Sequence, residues 1–146
     1  MGLSIPLIAA VAAQLACQLF KVFFYSLRQG VFRPDYLVHA GGMPSAHSAM
    51  VSTLTTSLGL YEGLSSPGFT VAAVFSLIII HDAVRLRGAV QLHAQVLDSL
   101  VRHFPREAGT RIPTRAGHTL AEVLAGVAVG VCFALLVYLL FPAGPA

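Results

Sequence analysis

From Leu120 to Phe141 the chain carries one charge, Glu122, in a run of Leu, Val, Ala and Gly that Pro142 closes. A helix rises 1.5 Å per residue, so about 20 residues reach the ~30 Å of a bilayer's hydrocarbon core. This run has the length and apolarity of a membrane-crossing helix. The whole chain reads the same way, since 56% of its residues are hydrophobic and only 10% are charged. A soluble domain carries roughly 25% charged residues, and so few charges cannot cover a water-facing surface. The expectation is an all-α integral membrane protein.

Three further stretches fit that frame. Ile5 to about Phe24 is apolar apart from Gln14, Gln18 and Lys21. His47 to Leu60 is shorter and rich in Ser and Thr, which suits a span buried against other helices. Phe69 to Ile80 is strongly apolar. After it, Val90, Leu97, Val101 and Phe104 recur at helical spacing among His93, Asp98 and Arg102, the pattern of an amphipathic helix lying at the interface. The expected architecture is therefore one domain, 1–146, with about four transmembrane helices and one amphipathic interfacial helix. Met1–Pro6 has no basic residue ahead of the apolar run, which argues against a secretory signal. Cys17 and Cys132 both lie inside apolar runs and read as packing residues.

Charge placement orients the bundle. With four spans, the loops 25–46 and 85–117 share one side, and all nine Lys and Arg fall in those loops or at the adjoining helix ends. The positive-inside rule makes that side cytoplasmic, or stromal or matrix in an organelle. Ser45, His47, His81, Asp82, His93, His118 and Glu122 gather at the same face. Polar groups in a membrane are costly and tend to mark function.

Two helix starts concentrate the chemistry. Gly41-Gly42-Met43-Pro44-Ser45-Ala46-His47-Ser48-Ala49 builds a turn into a helix, bringing a hydroxyl, a histidine and free backbone N–H groups together, as an anion site requires. His47 could there protonate a leaving oxygen; the plainer alternative is a histidine facing water. In Gly117-His118-Thr119-Leu120-Ala121-Glu122, the i, i+4 spacing sets His118 and Glu122 on one helical face. A carboxylate bonded to one imidazole nitrogen leaves the other free to attack; the plainer alternative is a self-satisfied pair. Lys21 and Arg28 share a face of the first helix, and Arg85 and Arg87 follow the third apolar run. Cations so placed suit phosphoryl oxygens, or they snorkel to headgroups. Asp82 could orient Arg85 or Arg87, or His81-Asp82 could join His93 at a metal. No tight metal-ligand spacing is present, and no cofactor is expected.

These residues resemble the type 2 phosphatidic acid phosphatase superfamily, which includes the vanadium haloperoxidases. Lys21 and Arg28 reproduce its Lys-x6-Arg spacing. Pro44-Ser45-Ala46-His47 looks like its Pro-Ser-Gly-His motif, and His118-x3-Glu122 like the end of its third motif. The Gly-Gly-Met-Pro-Ser-x-His-Ser-Ala segment, Asp82-Ala83-Val84-Arg85-Leu86-Arg87 and Gly-His-Thr-x-x-Glu-Val are similar to the divergent, small membrane branch. Gln29 stands where the superfamily has Pro, Ala46 replaces Gly, and Glu122 replaces Asp. No Ser-Arg lies six residues before His118, where Ile112 stands with Arg111 and Arg115 nearby, so Arg85 or Arg87 would supply the missing cation.

The resemblance implies roles. His118 would be the nucleophile, Glu122 would orient it and His47 would be the general acid. Lys21, Arg28, Ser45 and Arg85 or Arg87 would hold the phosphate, with no metal needed. The implied partner is a membrane lipid phosphate, and no nucleic acid. A non-catalytic protein that binds phosphate headgroups or scaffolds a partner is the alternative, and a small transporter subunit using His and Asp as a relay is another. Ala125, Gly126, Ala128 and Gly130 give the last helix a small-residue face, open either to a second copy in a homodimer or to the chain's own first helix.

Overall fold

The computed structural model describes residues 4–37, 42–101 and 119–143. They form four helices, α1 (Ile5–Gln29), α2 (Ala46–Tyr61), α3 (Pro67–Val101) and α4 (Leu120–Leu140), with a short 3₁₀ turn at Pro34–Leu37. No strand occurs among the described residues. α1 begins with Pro6 in its first turn, where a missing N–H costs nothing, and ends at Gly30 in the left-handed conformation. α4 starts at the Thr119 N-cap.

Three helical stretches are long and apolar enough to cross a membrane: Ile5–Gln29, Pro67–Arg85 and Leu120–Leu140. α2 is the exception. Its 16 residues reach only about 24 Å, and it lies at the centre, packed against α1, α3 and α4. The expected fourth span is thus a short inner helix, and about four spans resolves into three long helices around it.

The core is built from small side chains. Ala9, Ala10, Ala13 and Cys17 of α1, Ala46, Ser48, Ala49, Ser52 and Thr53 of α2, and Gly126, Gly130 and Ala134 of α4 are buried. Large apolar residues point outward instead; Leu77 is 70% and Leu139 77% exposed. That inversion is what lipid permits. Side-chain burial gains nothing over hydrocarbon, so helices associate by close backbone approach and interhelical hydrogen bonds. Thr53 Oγ1 donates within reach of both the Ala49 carbonyl (2.8 Å) and the Gly130 carbonyl of α4 (3.1 Å). Ser76 Oγ on α3 lies 2.7 Å from Thr55 Oγ1 and donates to the Val51 carbonyl of α2 at 3.2 Å.

Two expectations change here. The third apolar run and the amphipathic segment are one continuous helix, α3, 35 residues long. Gly88 costs only about 1 kcal/mol in a helix interior, and no proline interrupts the run before Pro105, so nothing breaks the helix where its polarity changes. The glycine part of the small-residue face of α4 meets a helix of this chain other than the expected α1. It seats on α2: a Cβ added at Gly126 would lie 2.4 Å from the Ser45 carbonyl oxygen, and one at Gly130 2.4 Å from that of Ala49.

Candidate functional site

The chain returns from α1 to α2 over Tyr25. Gly42 adopts φ 80°, a conformation glycine takes at little cost. A Cβ there would meet the Tyr25 hydroxyl at 3.1 Å. Tyr25 itself stacks on Tyr36 with ring centroids 4.4 Å apart. The Met43–Pro44 bond is cis, and Ser45 follows as the N-cap of α2.

Ser45 is the junction of the site. Its backbone N–H donates to the Glu122 carbonyl of α4 at 3.0 Å. Its Oγ accepts from the Ser48 N–H at 3.4 Å and from Ser48 Oγ at 2.9 Å. Both serines are fully buried. The expectation of several free N–H groups is therefore narrowed: those of Ser45 and Ser48 already have acceptors. His47, half-buried, occupies the second position of the helix, at the positive end of its dipole.

Lys21 is 1% exposed, the largest of the fully buried side chains. It stands within electrostatic reach of Cys17, one turn earlier on α1, and of Glu122 on α4. A buried ammonium persists only where charge and hydrogen bonds compensate its desolvation. The sequence spacing pairs Lys21 with Arg28, but seven residues along a helix is a rise of about 10.5 Å, and Arg28 is exposed.

Glu122 forms a capping box with Thr119. The Thr119 N–H donates to Glu122 Oε2 at 3.0 Å, and the Glu122 N–H donates to Thr119 Oγ1 at 3.3 Å. The Ser/Thr-x-x-Glu spacing is the sequence signature of this device, and the pairing of Glu122 with His118 drew attention from it. His118 lies outside the described residues, as does the side chain of Arg87. Arg85 is exposed and Asp82 half-buried on α3. Among the described residues, no hydrogen bond or ion pair joins Arg28, Asp82 or Arg85 to Lys21, Ser45 or Glu122. The structure thus brings Lys21, Ser45, His47 and Glu122 to one end of the bundle. It adds Ser48 and Thr119, which were not expected in the site, and Gly126, which the sequence marked only as part of a small-residue face; for Thr119 the capping-box spacing was the signal.

Residues 4–133 match the family described as the divergent PAP2 family. The chain belongs to the divergent PAP2 family. That match spans every candidate site residue, from Lys21 to Glu122. A relative of this divergent PAP2 protein is the "uncharacterized membrane protein YuiD" of Bacillus subtilis (strain 168), 30% identical over 150 residues that cover 93% of this chain and 95% of the relative. No solved structure matches the chain. Family membership, the membrane relative and three long apolar helices together make the divergent PAP2 chain a membrane protein.

Proposed function

We propose that this divergent PAP2 protein is a membrane phosphatase that hydrolyses a lipid phosphate monoester or pyrophosphate, without a metal, through a phosphohistidine. The observation that carries the reading is the burial of Lys21 beside two helix starts, those of α2 and α4, which the Ser45–Glu122 hydrogen bond holds together. A buried cation at helix N-termini is an environment that favours a phosphoryl dianion.

In this reading an imidazole nitrogen of His118 attacks phosphorus as the bond to the leaving oxygen breaks. His47 gives its proton to that oxygen, so the alcohol or phosphate departs neutralised. Water then attacks phosphorus, breaking the phosphorus–nitrogen bond. Its proton passes to His47, and inorganic phosphate leaves. Lys21 and Ser45 hold the equatorial oxygens, with Arg28, Arg85 or Arg87 as the further cation. Glu122, fixed by its capping box, orients His118 from one turn away. The positive-inside pattern supports a reaction on the cytoplasmic, stromal or matrix side. Positioning and electrostatics supply the rate.

The test is phosphate release by the detergent-solubilised protein from phosphatidate, phosphatidylglycerophosphate and polyprenyl phosphates, with chelator present. Release is expected from at least one of them, with loss of more than 100-fold in His118→Ala, and labelled phosphate should be trapped on the wild-type protein by rapid quenching. Activity retained in His118→Ala would refute the mechanism.

One observation favours a second reading, a headgroup-binding protein without turnover: the Ser45 hydroxyl and the Glu122 carboxylate both already serve as helix caps. That reading expects binding of the same lipids that survives His118→Ala, with no phosphate released by the folded wild type.

A further inference from the structure

An apolar cleft of about 620 Å³ opens between α1, the 42–45 turn and α4. Its depth comes from small residues: Ala16 and Cys17 on α1 face Ala125 on α4. Phe20 and Phe24 form one wall, and Met43 and Pro44 close the end. Phe20, Phe24 and Met43 are each about half exposed (50%, 45% and 50%), so the cleft faces the surrounding lipid sideways. The volume lies within the roughly 300–1,000 Å³ usual for small-molecule sites.

The position of this cleft separates it from an ordinary furrow between helices. Pro44 immediately precedes Ser45, Cys17 lies one helical turn before Lys21, and Ala125 adjoins Gly126, which packs on the Ser45 carbonyl. The apolar space is therefore lined by the immediate neighbours of the buried cation and of the two helix starts. A second cleft, of about 690 Å³, lies along α1 beside Leu19, Val22, Phe23, Leu27 and Phe32 and has no lining residue from the 42–45 turn or from α4. An occupant of the first cleft would have a hydrocarbon part against Ala16 and Phe20 and an anionic part at Lys21.

We propose that this cleft holds the hydrocarbon chain of the substrate lipid next to its phosphate, and so selects lipid phosphates over soluble phosphate monoesters. This rests on the lipid-phosphatase reading above for the identity of the headgroup. The small residues Ala16, Cys17 and Ala125 are the specificity determinants, because a larger side chain at any of them fills the space the chain would take.

Two measurements test the assignment. In the first, kcat/KM is compared on long-chain phosphatidate and on soluble glycerol 3-phosphate for the wild type, Ala16→Phe, Val129→Phe (Val129 also lines the cleft) and the outward-facing control Leu139→Phe. The long-chain to soluble ratio should fall at least tenfold in the two cleft variants and stay within twofold in the control. An unchanged ratio in properly folded cleft variants overturns the proposal. The second needs no turnover. A phosphatidate carrying a photoreactive diazirine in its chain, in phosphatidylcholine vesicles, should label residues 16–25 and 125–129 of the wild type. Excess unlabelled phosphatidate should compete, and a matching phosphatidylcholine probe should label these residues at least fivefold less. Equal labelling by both probes, or labelling spread around the bundle, marks bulk lipid and overturns the cleft assignment even if the protein is a phosphatase. Selective labelling without phosphate release would keep the cleft and sink the phosphatase reading.

Discussion

The backbone N–H of Ser45 and the carbonyl of Glu122 meet at 3.0 Å, joining the first turns of α2 and α4 although 77 residues separate them in the chain. Each residue is also engaged in the capping of its own helix. The two helix starts are therefore one unit, and the position of any group at one start is fixed relative to the other.

The contact just below that bond leaves no room for a side chain. A Cβ at Gly126 would lie 2.4 Å from the Ser45 carbonyl oxygen, with backbone on both sides that cannot rotate away. Gly126→Ala should force α2 and α4 apart, costing about 1–3 kcal/mol as overpacking typically does. Thermal unfolding in detergent should show a clear drop for Gly126→Ala and for Gly130→Ala, and none for Leu139→Ala. A Gly126→Ala protein as stable as wild type would show that the helices are not this close.

Removing the Thr119 hydroxyl should cost about 1 kcal/mol, the usual worth of an N-cap. Thr119→Ser should keep most of it, because the accepting oxygen remains. Comparing unfolding midpoints of Thr119→Ala and Thr119→Ser separates loss of the cap from loss of the methyl group.

Lys21 distinguishes stability from function. Lys21→Met removes a buried charge from beside Glu122, and because the Glu122 carboxylate is only half-buried and is also held by its capping box, stranding it should cost little stability. Phosphate release should nonetheless fall by about 10²–10³, the scale seen when one preorganised charge-stabilising donor is removed. Lys21→Arg should recover little, since a fully buried site shaped for an ammonium does not admit a guanidinium fork. Activity within tenfold of wild type in Lys21→Met would remove Lys21 from the site.

Thr53→Val should weaken the α2–α4 contact by about 0.6 kcal/mol, the average for interhelical hydrogen bonds in membranes. Its hydroxyl reaches both the Ala49 and the Gly130 carbonyls, whereas the buried Ser57 hydroxyl has no hydrogen-bond partner among the described residues. Ser57→Ala should therefore be neutral or stabilising, and a side-by-side unfolding series tests the contrast.

The long apolar helices were legible because apolarity over some 20 residues has few other meanings, and α2 because its Ser and Thr content marks a helix shielded from lipid. The boundary drawn near Arg85 was not real, since a change from apolar to amphipathic pattern marks the membrane surface and does not end a helix. The small face at Gly126 and Gly130 announced a close approach without naming its partner, which is set by the matching Ser45, Ala49 and Ser52 on α2. Within the site, Ser45, His47 and Glu122 meet at two helix starts, while Lys21 reaches them from inside α1, about two turns before its end. Arg28, two turns past Lys21, points to the surface; periodicity gives the face of a helix but not what covers it.

α3 runs 35 residues without interruption, from a span whose Ser76 is hydrogen bonded to α2 out to Val101. A helix with no hinge at the membrane surface acts as a lever. As long as it stays straight through Gly88, a displacement of its far end is carried to the inner half and, through Ser76, to the helix that carries His47.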